Sequence, residues 1–204
     1  SSAGSGRTIT FDRCTAVDNS SASVSADISY LFDRTSGAAV TTTFTPGSSS
    51  YHDITSQNIT LNIGDNAFTQ DALSTFTVSS GTVNMGNGGV RLGNLTVNGG
   101  TFRQTGEADD SVNNITFNSG TISWDSSDAG GTLVINGTIG GANADTINYH
   151  HKEVTINSTQ SINGLFWSLV IPAGVTVTNA DSLKIRKNLT IESTGFFAHN
   201  DKTL

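Results

Sequence analysis

Leu95-Thr-Val-Asn-Gly-Gly-Thr-Phe102 and Ile115-Thr-Phe-Asn-Ser-Gly-Thr-Ile122 share one pattern, and Phe76-Thr-Val-Ser-Ser-Gly-Thr-Val83 precedes them with the same one. Further copies begin at Ile59, Leu133, Val154, Leu169 and Leu189, so the starts fall at positions 59, 76, 95, 115, 133, 154, 169 and 189. A period near twenty that tolerates drift is what a solenoid shows when its turns vary in length while its strands stay in register. Within each copy the first and third positions are apolar and the second is usually Thr. Alternation of period two buries one face of a strand and leaves the other wet.

The fourth position is Asn62, Asn98, Asn118, Asn136 or Asn157 in five of the eight copies. Asn tolerates left-handed backbone and can bond its own turn, so it suits a sharp bend. Stacked one above another, such side chains can also form an amide ladder. Gly81, Gly100, Gly120, Gly137, Gly174 and Gly195 follow the bend, and Val83, Phe102, Ile122, Ile139, Val175 or Phe196 supplies the apolar residue of a second short strand. One coil therefore reads strand, corner, strand, loop. With adjacent coils about 4.8 Å apart, eight of them predict a rod on the order of 40 Å long.

These repeats resemble the passenger repeats of bacterial autotransporters, filamentous-haemagglutinin-type adhesins and the wider β-strand-repeat surface proteins. That resemblance implies a right-handed parallel β-helix, and parallel crossovers are right-handed as a rule. It also implies a protein of the cell surface or the extracellular space.

Composition is consistent with an exported β-rich chain. Charged residues make up 13% of the 204 residues, about half the usual share, with Ser, Thr and Asn in their place. The net charge of −7 disfavours nucleic acid, because phosphate binding needs a basic footprint. The one basic cluster, Lys184, Arg186 and Lys187, reads as a solvated strand edge. Cys14 is the single cysteine, which excludes an internal disulfide and suggests a buried, inert thiol. No apolar run reaches the length of a membrane span. The opening Ser1-Ser-Ala-Gly-Ser-Gly6 suggests a processed protein or a piece of a longer one.

Two regions are expected. Residues 1–51 carry strand-like pieces without the Asn-Gly pattern and read as an N-terminal cap or irregular first coils; residues 52–204 hold the parallel β-helix repeats. Within the repeats, 140–153 and Gly164-Leu-Phe-Trp-Ser168 read as lateral loops. The tail 198–204 is too short and polar for a cap. An open last coil leaves unpaired backbone groups over apolar residues, which predicts self-association by end-to-end stacking.

Chemistry-bearing residues are sparse. Glu107, Asp109, Asp110, Asp125, Asp128 and Asp145 recur at nearly one coil, so they could line an edge and bind Ca²⁺; solubilising loops are the preferred reading. Asp109-Asp110 resembles the paired acids of the polygalacturonase type, but the accompanying Gly-His-Gly is missing. His150 and His151, if on a strand, point to opposite faces and cannot share a metal. Trp124 is expected in the core. One of Phe166 and Trp167 is expected to face outward, packed on a loop rather than serving as a sugar platform. The sequence thus predicts an extracellular or cell-surface, non-enzymatic structural or adhesive β-solenoid, a filament subunit if its ends stack, with no catalytic, metal or cofactor residues. The alternative is a glycan-binding or glycan-cleaving β-helix such as a phage tailspike or polysaccharide lyase, whose partner is a surface glycan.

Overall fold

The computed structural model describes residues 7–21, 28–34, 37, 40–124 and 130–199. Parallel strands stack into a β-solenoid of about nine turns, and a 3₁₀ turn at Ala144–Thr146 is the one helical element among the described residues. The strands lie on three faces, here called A, B and C in the order the chain visits them. Face A stacks Phe68–Thr69, Val90–Leu92, Asp110–Val112, Leu133–Ile135, Val154–Ile156, Leu169–Ile171 and Leu189–Ile191. Face B runs from Arg7–Asp12 through Ile28–Asp33, Ile54–Ser56 and Thr75–Val78, then Asn94–Val97, Asn114–Phe117 and Ile139–Gly140. Gln160–Ile162, Thr176–Asn179 and Phe196–Ala198 form a further stack. Face C begins with Ala16–Asp18, Thr41–Thr45, Thr60–Ile63, Thr82–Met85, Thr101–Gln104 and Thr121–Trp124. It continues through Asn148–Tyr149, Leu165–Phe166 and Lys184–Ile185.

The eight sequence copies do not pile into one column. Phe76, Leu95 and Ile115 stack on face B, whereas Leu133, Val154, Leu169 and Leu189 stack on face A. The rung above Ile115 is Ile139 rather than Leu133, and the rung below Leu133 is Asp110 rather than Ile115. The step from Ile115 to Leu133 is therefore a hop from one face to another. All three faces carry the same in-out alternation and end in the same Asn or Gly corners, so spacing cannot tell them apart. The one face-A rung that would have exposed the slip has a carboxylate, Asp110, where its neighbours have Val90 and Leu133. The segments at 7–45 occupy lower rungs of faces B and C without the Asn-Gly pattern.

Inside the coil the stacked apolar residues form one core. Leu61, Val83, Phe102 and Ile122 lie directly over one another on face C and are all fully buried. A chain of rings runs Phe11–Phe32–Phe44–Tyr51–Phe68–Phe76–Phe102–Trp124, with successive centroids 4.9 to 6.2 Å apart. Each such pair contributes about 0.5–1.5 kcal/mol beyond the area it buries. Trp124 is fully buried as expected, and the half-buried Cys14 is less sheltered than its sequence suggests.

The corners use the residues that the sequence marks, in several short columns. Asn118 donates to Asn98 Oδ1 at 2.8 Å and Asn114 to Asn94 at 2.7 Å, while Asn84 donates to Asn62 at 2.8 Å within the face-C strands, on their outer side. Asn113, Asn136 and Asn157 stack at the same bend as Asn94 and Asn114, from face A to face B, at 3.3 and 2.9 Å. Gly81, Gly100 and Gly120 share left-handed φ values of 78°, 76° and 101°. A Cβ on Gly100 would sit 2.4 Å from the carbonyl oxygen of Gly81. Only glycine meets both demands, the positive φ and the close approach of the next rung.

Val97 is fully buried between Val78 and Phe117, while Thr96 is half-buried on the outer side of the same strand. Val97→Asp should cost roughly 4 kcal/mol or more through lost apolar burial and a desolvated carboxyl, and Thr96→Asp within about 1 kcal/mol. Thermal melts of the two variants check this; equal melting temperatures would mean that the faces are misassigned.

Candidate functional site

Asp109 and Asp110 point to opposite sides of their strand. Asp109 is exposed, and its Oδ1 accepts from the Thr132 N–H and hydroxyl, both at 3.0 Å; these bonds hold its carboxyl below the usual range. Asp110 points into the coil. The paired-acid reading therefore fails on geometry, since two adjacent strand residues cannot serve one groove. Glu107 lines a shallow outer recess of about 380 Å³ with Asn87, Thr105 and Ala108. Asp125 and Asp128 lie outside the described residues, as does the side chain of Asp145. Among the described residues, no three His, Cys, Asp or Glu side chains are grouped to hold a metal ion.

Asp110 is the centre of a buried polar cluster. Its Oδ1 accepts from Val90 N–H at 2.8 Å and from Gln104 Nε2 at 3.2 Å. Its Oδ2 lies 3.1 Å from Lys152 Nζ, and both side chains are completely shielded from solvent. That approach is not aligned as a hydrogen bond; Nζ instead donates to Ala108 O at 2.7 Å. Burial pushes the Asp110 carboxyl above its ordinary value, against the lowering pull of the Lys152 cation and the N–H donors. Lys152 comes from two rungs above, because Asp110, Leu133 and Val154 occupy successive rungs of face A.

What aims Lys152 inward is a break in alternation. Tyr149 is buried, yet the next buried residues are Lys152, Val154 and Ile156. His151 adopts φ 62°, and the register shifts between Tyr149 and Glu153. This bulge puts the rings of His150 and His151 together at 3.7 Å between centroids, contrary to the opposite-face expectation. Trp167 meets both edge-on, at 5.3 and 4.5 Å. Phe166 is buried and Trp167 partly exposed, packed on the bulge as its sequence suggests. Beside it, Gly131, His151, Glu153, Trp167, Ser168, Lys187 and Asn188 line a cleft of about 100 Å³. Neither the bulge nor the inward lysine is signalled by residue type; only the failure of the alternation at His150-His151-Lys152 points to them.

The upper end of the solenoid forms a second feature. Leu189 and Ile191 hold column positions whose counterparts below, Leu169 and Ile171, are buried, but they are 41% and 44% exposed; Phe196, above the outward Thr176, is also exposed. Lys184, Arg186 and Lys187 are exposed on the same edge. Following the register rung by rung down face C from Lys184 leads to Ala16 at the lower end. Ile185 and Val17 thus share one inward position, and Arg186 and Asp18 share the next, outward one. Bonds from Ser20 hold the Asp18 carboxyl below its ordinary value, so it is a permanent anion near neutral pH.

Asp110→Ala should destabilise the fold by roughly 3–5 kcal/mol, since it strands a buried ammonium. In Lys152→Met the cation that lowers the Asp110 carboxyl is gone and its burial alone raises it. A raised carboxyl stabilises most below the usual carboxylate range, and the contribution is lost as pH rises through the folded value. Denaturant titrations of Lys152→Met should therefore show stability falling from mildly acidic to neutral pH more steeply than in the parent chain.

No protein-family model, no curated protein and no solved structure matches this chain.

Proposed function

We propose that this chain is a non-enzymatic structural or adhesive β-solenoid of the extracellular space or cell surface, of the bacterial β-strand-repeat kind, and that copies add end to end. The observation that carries this reading is the exposed apolar edge at Leu189 and Ile191, whose counterparts one rung below are buried. An unpaired parallel edge over apolar side chains is a template for another rung. The lower edge at Arg7–Asp12 and Ala16–Asp18 has strands of the matching direction, with Ile9 41% exposed. Joined in register, face C would bring Arg186 of one copy beside Asp18 of the next and Ile185 over Val17. Such a contact is heterologous, so it builds an open filament. The repeat pattern and the low charge content support an exported rod. Partners at a host surface or a surface glycan would meet its flanks.

Sedimentation velocity and negative-stain imaging over a range of protein concentrations test the assembly. Unbranched particles one solenoid wide that lengthen with concentration are expected. Arg186→Asp should shorten them, and adding Asp18→Arg should restore them. A monodisperse monomer at every concentration, or assemblies indifferent to both charge changes, would overturn the reading.

A further inference from the structure

We propose that Lys152 and Asp110 are the two halves of an intramolecular amide cross-link, formed without any other protein, that staples face A across one intervening rung. The two groups meet in the dry interior, Nζ 3.1 Å from Oδ2, with no solvent reaching either side chain. Holding an amine and a carboxyl side by side in a fixed geometry removes much of the entropic cost of a bimolecular step. Water, which would hydrolyse or solvate the pair, is excluded.

The two carboxyl oxygens have different surroundings, and the difference matches the two roles that condensation requires. Oδ1 is gripped by two N–H donors, Val90 at 2.8 Å and Gln104 at 3.2 Å. They can hold the negative charge that builds on one oxygen as the carbon becomes tetrahedral, as an oxyanion hole does. Oδ2 has no aligned hydrogen bond and is the oxygen that leaves. Gln104 is itself held in place, since its Nε2 also donates to Gly88 O at 3.2 Å. Ala108 O, which accepts from Nζ at 2.7 Å, holds the amine beside the carboxyl.

The chemistry balances without a cofactor. One proton passes from the ammonium to Oδ2, leaving a neutral amine and a neutral acid, the forms that a dry interior favours over separated charges. The raised Asp110 carboxyl is in keeping with this transfer. The nitrogen lone pair then attacks Cγ and the carbonyl π pair moves onto Oδ1. A second proton passes from nitrogen to the Oδ2 hydroxyl. The Cγ–Oδ2 bond breaks as Oδ1 reforms its double bond, and one water departs. Nothing is oxidised or reduced.

Intact-mass measurement of the folded, purified chain, read after denaturation, decides the matter. The parent protein should be lighter than its sequence by one water, and proteolysis should release a single branched peptide containing both Asp110 and Lys152. Lys152→Arg and Asp110→Ala should each return the full sequence mass. Because the parent's own mass is diagnostic, a variant that folds poorly leaves the test intact. A parent at the full sequence mass would overturn the proposal, and so would a water loss that persists in Lys152→Arg, which marks dehydration at some other aspartate. The assembly proposed above does not depend on either outcome.

Discussion

Every strand in this solenoid must give its N–H and C=O groups to the strands above and below, in parallel and at a spacing of about 4.8 Å. That constraint forces like onto like. A residue in one rung meets, not a complementary partner across a core, but its counterpart one turn away. Side chains that attract their own kind are therefore selected at each position. Asn amides both donate and accept, so Asn62 and Asn84 or Asn98 and Asn118 join into ladders. Apolar residues and rings satisfy the same requirement inside. Charged side chains do not, which is why a chain with 13% charged residues suits the fold and a typical globular composition would not.

The same constraint explains what the sequence discloses. Alternation and a period near twenty follow directly from stacked rungs, and both are visible at Phe76, Leu95 and Ile115. Face identity is not, because faces A, B and C obey identical rules and differ only in which corner follows. The hop from Ile115 to Leu133 could have been caught at Asp110, where a column of Val90 and Leu133 is interrupted by a carboxylate. An acid next to another acid resembles a loop, and its role as an interior residue appears only once Lys152 is seen above it. The candidate site was illegible for a related reason: Lys152 reaches the interior through a left-handed His151, and no residue-type rule places histidine there.

Places where a repeat departs from its own rules are where something other than stacking has been selected. Two departures coincide here in space though they lie on rungs far apart in the chain. Asp110 breaks the apolar pattern, and His151 breaks the alternation. Either alone would be destabilising: a lone buried charge in one case, a strained backbone of roughly 1–3 kcal/mol in the other. They are intelligible only together, since the strained His151 turns Lys152 onto the carboxyl and Gln104 and Val90 complete its surroundings. A plain Val at 110 with a regular corner at 151 would fold as well, because exchanging a buried ion pair for apolar residues of similar volume is often neutral or stabilising. Stability alone does not account for the arrangement.

A solenoid has a characteristic weakness that bears on this point. Each turn touches only the turns beside it, so stability is close to a sum over neighbours, and opening can start at any weak rung. The stack is irregular at the corner between faces C and A, at 148–153, where the register shifts next to the recess around Trp167. A tie from Asp110 to Lys152 skips the rung of Leu133 and joins the regular lower turns to the turns above the bulge. The backbone ladder cannot supply such a connection, because its hydrogen bonds join adjacent rungs. The tie would therefore hold together the two turns on either side of the place where the regular ladder is interrupted.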